Sequence, residues 1–278
     1  MPIDIKTLAC PTCTNELHLK DGLYCNICHT YYPISNEKYY FTKVNLTIPD
    51  KFDHIKNYLK QFARLYNFLI TVISPVYIPA QLKRFLKKES DSQPKVMINL
   101  GSGNSRISKN IINIDIFDYP NVDLVCDISN LPLKKESVDL IISIAVLEHV
   151  SNPGIIAREI SRVLKPGGKI FIYIPFIQGY HASPYDYQRY TISGIEYLFK
   201  DFRIIEVRCG SGPTSGFLWI LQEWLAIAFS FGFTPLYRLL HLLIMGVTFP
   251  LKFLDALLIH HPFAKNIASG FSLIAKKV

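Results

Sequence analysis

"VMINLGSGNSR", residues 96–106, breaks off from an apolar run at a pair of glycines. A strand that ends in a glycine-bearing loop is the opening unit of an open α/β sheet whose loop meets a nucleotide. The dinucleotide fingerprint needs a third glycine where this chain has Arg106, so the loop does not read as a grip on a pyrophosphate. Strand and helix signals alternate from there on, which implies a parallel sheet. Strands read at about 95–100, 111–115, 122–126, 138–144, 168–175, 203–209 and 271–276. A helix reads from about 153 to 165, with Pro153 in its first turn and Ile156, Ile160, Val163 and Leu164 on one face. "KPGG" stops it, and a second short helix starts behind Thr191 as N-cap.

Ligands of such sheets bind beyond the carboxyl ends of the strands. Gly101 and Gly103 let the backbone approach a ligand closely. Asp115 ends the second strand, where a carboxylate accepts two ribose hydroxyls, and Asp127 ends the third, where it accepts from an adenine amino group. Two carboxylates without a phosphate-binding lysine describe a nucleoside that lacks phosphates. S-adenosylmethionine (SAM) is such a ligand, and its sulfonium charge favours an acidic pocket.

The ordered series "INLGSG", "INIDI", "VCDISNLPLKKESVDLIIS", "VLEHV" and "EISRVLKPGGKIFIYIPF" resembles the class I SAM-dependent methyltransferases, the broad set with quinone-biosynthesis and glycan-modifying members. The resemblance is continuous over about 94–210. It implies a Rossmann-like, seven-stranded α/β methyltransferase sheet, with Gly101 and Gly103 at the methionine end, Asp115 at the ribose, and Asp127 with Ile128 at the adenine. It further implies Ser143 and Leu147 to His149 under the sulfonium, near the acceptor. Asn99 stands where the pattern has an acid, as a weaker contact to the SAM amino group. Gly103 to Asp115 is only 12 residues, so the first helix must be short or missing.

After the fifth strand, "PFIQGYHASPYDYQRYT" concentrates His181, Tyr185, Asp186, Tyr187, Arg189 and Tyr190 near the open end of the sheet. The stretch resembles one found in a bacterial subset of the family, often encoded with cell-surface glycan enzymes. Methyl transfer needs alignment of nucleophile, methyl and sulfur, and exclusion of water. A hydroxyl acceptor also needs its proton removed, for which His181 or His149 is the natural base and Asp186 the nearby carboxylate.

In front of the sheet, "CPTC" at 10–13 and "CNIC" at 25–28 form C-x2-C-x11-C-x2-C. Two such knuckles complete a closed tetrahedral site, so Cys10, Cys13, Cys25 and Cys28 read as ligands of a structural zinc. A hairpin turning at Asp21-Gly22 lies between them, and "HTYYPIS" continues as a strand. The stretch resembles the zinc ribbons that accompany methyltransferases. The unpaired Cys126 and Cys209 lie in apolar runs, and the cysteine usage fits a reducing cytosol. "MPIDIKTLAC" has no signal-peptide apolar region.

The implied organisation is a zinc ribbon over 1–45, an amphipathic helix and linker over 46–91, and a methyltransferase domain over 92–278. In the linker, Ile55, Tyr58, Leu59, Phe62, Leu65, Tyr66, Leu69, Ile70 and Ile73 recur at helical spacing. The basic, polar "QLKRFLKKESDSQP" leads into the core.

An apolar insertion over 213–268 precedes the last strand. Its uncharged 239–251 block would be about 20 Å long as a helix, short of a roughly 30 Å hydrocarbon core, so it reads as lying on a membrane surface, not spanning one. An oligomer contact or a cap over the site are the rival uses.

The formal charge is +8, with an excess of five positive charges over 1–90, none over 91–211 and three over 212–278. Basic flanks favour an anionic partner. Together these features predict a cytoplasmic enzyme, peripheral on the membrane, that methylates a lipid-linked or amphipathic small-molecule or glycan acceptor. An RNA methyltransferase whose ribbon recognises RNA is the second reading, and a non-catalytic SAM-binding scaffold the third.

Overall fold

A computed structural model describes residues 3–42, 74, 76, 80–89 and 95–278. The amphipathic helix expected over 52–73 lies outside these residues.

The ribbon holds strands β1 (His18–Leu19), β2 (Leu23–Cys25), β3 (Thr30–Tyr32), β4 (Ile34–Ser35) and β5 (Lys38–Tyr40). The core follows with α1 (Gln81–Glu89), β6 (Met97–Leu100), β7 (Ile111–Asp115), β8 (Leu124–Val125), β9 (Val138–Ile144), α2 (Pro153–Val163) and β10 (Leu164–Pro175). Then come α3 (Ile192–Leu198), β11 (Phe202–Ser211), α4 (Pro213–Ser230), α5 (Thr234–Thr248), α6 (Asp255–Leu258) and β12 (Gly270–Lys277).

The seven expected strands are present in the order β11-β12-β10-β9-β6-β7-β8, and β12 runs antiparallel to both its neighbours. The sheet is larger than the sequence suggested. It has nine strands, because β5 of the ribbon pairs parallel with β8 (Tyr39 opposite Leu124, Tyr40 opposite Val125) and β4 pairs with β5. An exposed edge strand invites unwanted pairing, and here the ribbon covers it. The two parts also share one core: Leu8, Leu23 and Tyr39 of the ribbon cluster with Leu100, Ile114, Leu124 and Leu133.

The first helix of the sheet is absent among the described residues, as the 12-residue spacing required. Residues 101–110 cross from β6 to β7 in turns. Arg106, in place of the third glycine, braces this short crossing. Its Nη2 donates to Asn121 O (2.8 Å) and to Asp123 Oδ1 (2.7 Å), while Asp123 Oδ2 accepts from Asn113 N (2.8 Å).

Within the basic, polar approach to the core, "QLKRFLKK" is helical, because Leu82, Phe85 and Leu86 form an apolar stripe against the sheet. Buried Glu89 at its end takes Lys95 (3.1 Å) and Lys169 (2.5 Å).

The insertion forms a helical hairpin. Phe231 in the left-handed region and Gly232 (φ +78°) turn the chain between α4 and α5. Asp255 fixes its base by accepting from Thr214 N (2.8 Å), Ser215 N (2.8 Å) and Ser215 Oγ (2.6 Å) at the start of α4. The polar side chains of α4 turn inward. Gln222 donates to Thr248 Oγ1 (2.7 Å), and Glu223 accepts from Tyr237 (2.5 Å) with His241 3.4 Å away. Apolar side chains face outward instead, including Trp224, Ile227, Phe231, Leu243, Val247 and Leu257. Residues Thr234–Leu258 form 25 residues of nearly continuous helix, of which 11% of the most apolar window is buried. By length and composition this is enough to cross a membrane. The 20 Å expectation was too short because helix continues past Lys252, whose charge is buried with Nζ on Ser74 O (2.8 Å).

Candidate functional site

The carboxyl ends of β6, β7, β8 and β9 open on a cavity of about 570 Å³. Of the expected cofactor residues, Gly101, Gly103, Asp115, Asp127 and Ile128 line it, as does His149. Asn99 and Ser143 do not. Both are strand residues buried beneath the floor, 4% and 1% exposed. Asn99 is opposite Asn113 in the neighbouring strand and donates to its side-chain oxygen (3.2 Å).

Gly101 (φ +62°) and Gly103 (φ +54°) bend the loop back over Asp115. Asp115 Oδ2 accepts from Gly103 N (2.7 Å) and Oδ1 from Phe117 N (2.9 Å). Burial pushes its carboxyl pKa up, partly offset by these backbone donors. One carboxylate therefore holds the loop and faces the cavity with its remaining lone pairs. Asp127 is exposed and accepts from Ser129 N (2.8 Å).

A Cβ on Gly101 would lie 2.4 Å from Val146 Cγ2. Gly101→Ala is therefore expected to cost about 1–3 kcal/mol by overpacking, read as a lower melting temperature. Gly103→Ala, with nothing within 4 Å of its Cβ, should cost only the left-handed backbone penalty of about 1–2 kcal/mol.

The far wall comes from two segments locked together. The turn Leu147–His149 carries the loop 178–190: Gln188 Nε2 donates to Leu147 O (3.0 Å) and Val150 O (2.8 Å), and Tyr187 N donates to Glu148 O (2.8 Å). Arg189 forms an ion pair with Asp186 through two nitrogens and also donates to Gly179 O (2.8 Å). Asp186 Oδ2 in addition accepts from His181 N (2.8 Å). The Arg189 guanidinium holds the Asp186 carboxyl down to about 2. Asp186 is thus a brace within the loop, not a base facing an acceptor.

His149 and His181 meet edge to face, with ring centroids 5.3 Å apart, and Trp219 of α4 stacks on His181 at 6.2 Å. Their Nε2 atoms point to Glu148, at 3.8 and 3.7 Å. The Glu148 carboxylate raises the His181 pKa against an opposing effect of burial. The sequence placed Glu148 only within the run Leu147 to His149 of "VLEHV" and gave it no role of its own. Val146, Phe117, Tyr119, Tyr185 and Tyr187 also line the cavity without having been singled out for the cofactor. Tyr185 and Tyr187 are 60% and 52% exposed at its rim.

In the ribbon, the four cysteine sulfurs lie within 4.8 Å of one another, and none is in a disulfide. Cys28 N approaches Cys25 Sγ at 3.4 Å, and Tyr32 OH approaches Cys10 Sγ at 3.3 Å. A closed set of four sulfurs with such outer donors fits a tetrahedral zinc.

Comparison with known proteins agrees with this geometry. Residues 98–172 match the family described as methyltransferase domain, and residues 5–37 the family described as Trm112p-like protein. The human probable tRNA methyltransferase 9B is 46% identical over 54 residues, which is 18% of this chain and 12% of that protein, and the mouse protein is 44% identical over the same length. The match thus spans about an eighth of the relatives' length. Among solved structures, the complex of the Haloferax volcanii Trm112 methyltransferase activator with a putative methyltransferase covers 59% of this chain and 81% of its own, at 18% identity and a TM-score of 0.42. Haemonchus contortus phosphoethanolamine N-methyltransferase 2 with S-adenosyl-L-methionine covers 85% and 61%, at 18% identity and a TM-score of 0.48.

Proposed function

We propose, for a chain whose residues 98–172 belong to the methyltransferase-domain family and whose residues 5–37 are Trm112p-like, that it transfers the methyl group of SAM to RNA. SAM occupies the 570 Å³ cavity, with Gly101 and Gly103 along the methionine, Asp115 on the ribose hydroxyls, and Asp127 with Ile128 at the adenine. Cys10, Cys13, Cys25 and Cys28 hold a structural zinc. When bound, SAM supplies an electrophilic methyl; the protein aligns the acceptor and keeps water out.

The observation that carries the RNA reading is the pair of exposed tyrosines at the rim. Tyr185 and Tyr187, with ring centroids 5.7 Å apart, stand beside the cofactor carboxylates where an unstacked base would lie. Proteins that read single-stranded RNA stack its bases on such rings, and the basic flanks suit its phosphates. The expectation of a lipid-linked or amphipathic acceptor does not stand. The curated relatives carry a tRNA methyltransferase name, and the ribbon is Trm112p-like.

The test is transfer of labelled methyl from SAM to cellular RNA or to a lipid extract, with the purified chain. Label in RNA supports the proposal, and label confined to lipid overturns it. A Tyr185→Ala, Tyr187→Ala variant should lose RNA affinity by ten- to a hundredfold, since each stacked base contributes about 1–3 kcal/mol. Its SAM affinity should be unchanged.

The hairpin bears on where this chemistry takes place. Its polar groups face inward and its large apolar side chains outward, the polarity of a segment that rests on lipid. We place the enzyme in the cytoplasm with this hairpin against a membrane, the acceptor remaining RNA. Flotation with anionic liposomes, abolished by Val247→Lys with Leu243→Lys, is the expected result. A stable dimer in solution that fails to float would make the hairpin a subunit contact instead.

A further inference from the structure

Among the described residues, two groups of His, Cys, Asp and Glu side chains bring their ligand atoms within 4.8 Å of one another. One is the ribbon. The other is Glu148, His149 and His181, of which His149 lines the cavity.

Glu148 is 0% exposed, and neither of its carboxylate oxygens has a hydrogen-bond partner among the described residues. An unpartnered buried carboxylate is costly enough to require an explanation. The histidines sharpen the problem. His149 Nδ1 lies 2.6 Å from Tyr185 O and His181 Nδ1 lies 2.9 Å from Gly179 O. Arg189 Nη2, 3.2 Å from His181 Nδ1, already donates its two protons to Gly179 O (2.8 Å) and Asp186 Oδ2 (2.7 Å). A carbonyl oxygen only accepts, so each Nδ1 carries a proton, and in the neutral ring each Nε2 presents a lone pair. Both lone pairs face the carboxylate, at 3.8 and 3.7 Å from Oε1.

Three candidate ligand atoms thus converge within 4.8 Å of one another. Protons alone fit poorly, because an N–H···O bond spans about 2.7–3.2 Å. A metal ion fits better: ligands about 2.0–2.1 Å from zinc at a tetrahedral angle lie roughly 3.4 Å apart, a few tenths of an ångström closer than here. Metal-bound histidines also commonly donate their other ring N–H to a carbonyl, as both do here.

We propose that Glu148, His149 and His181 form a second metal site, for a divalent transition ion of the zinc class. Two imidazoles and one carboxylate leave coordination positions open, the pattern of a site that also holds water or substrate. His181 is partly open to solvent, which provides the entry path. The site rests on side-chain geometry alone and does not depend on the acceptor being RNA.

The test is a titration of the full-length chain, its ribbon loaded with zinc, with Co²⁺ followed by visible absorption. The expected result is one Co²⁺ bound per chain, with nitrogen–oxygen ligand-field bands and no thiolate charge-transfer band. Glu148→Gln should weaken binding by at least about tenfold, the loss seen when even an outer partner of a metal site is removed. His181→Asn gives an independent measurement should the first variant not fold. Absence of saturable Co²⁺ binding by the wild-type chain, thiolate bands only, or undiminished binding by the folded variants would overturn the site.

Discussion

Replacing Asp115 by alanine is expected to weaken SAM binding by two orders of magnitude or more. The ribose hydroxyls would lose a charged acceptor, and hydrogen bonds to charged groups contribute about 1.5–3 kcal/mol each. Two such bonds amount to roughly 3–6 kcal/mol, or about a hundredfold to twenty-thousandfold in affinity. The same change frees Gly103 N and Phe117 N, which Asp115 holds at 2.7 and 2.9 Å. The loop then no longer has one fixed shape for the ligand. Asp115→Asn separates the two effects, since the amide keeps one acceptor and the side-chain volume. Calorimetric titration with S-adenosylhomocysteine, alongside a melting curve, reads both. An unchanged dissociation constant in folded Asp115→Ala would remove this residue from the ribose.

Loss of the ribbon metal is expected to be the most damaging change to the fold. Cys25 is fully buried, and the ribbon's apolar residues belong to the same cluster as the sheet. In zinc-finger peptides, structural zinc contributes about 10–16 kcal/mol of apparent binding free energy at neutral pH, all of it coupled to folding. Cys25→Ser should lower the zinc content by one ion per chain and melt the ribbon. Without the ribbon, β5 leaves β8, and β8 is presented to other chains as the open edge of the seven strands that remain. Zinc analysis and size-exclusion chromatography should therefore report metal loss together with aggregation. A monodisperse variant with the wild-type melting temperature would show that the ribbon stands without its metal.

The sheet was legible in the sequence because buried parallel strands are continuous apolar runs, and "VMINL", "VDLIISI" and "KIFIYIP" end on marked residues. The four cysteines were legible because metal geometry fixes their spacing. What escaped reading was pairing between distant segments. Tyr39 and Tyr40 carry no mark that they join Leu124 and Val125, 85 residues on. Asn99 and Ser143 were assigned to the cofactor from their place in a motif, yet both side chains are buried among the strands. In "HASPYDYQRYT" the charged residues drew attention as chemistry, but Asp186 and Arg189 neutralise each other inside the loop. The exposed tyrosines on either side of Asp186 form the rim. The meeting of Glu148 with His181 was not legible, because only the fold brings the two together.

The parallel pairing of β5 with β8 also sets how the two parts respond to dilution. Two separate proteins joined by so short a strand contact would come apart as their concentration fell. Joined by a peptide chain, the ribbon sees its docking edge at an effective concentration on the order of millimolar, set by the connecting chain and not by abundance in the cell. Each copy of the sheet is synthesised after its own cover, in a fixed one-to-one ratio, and neither part competes with other proteins for the other.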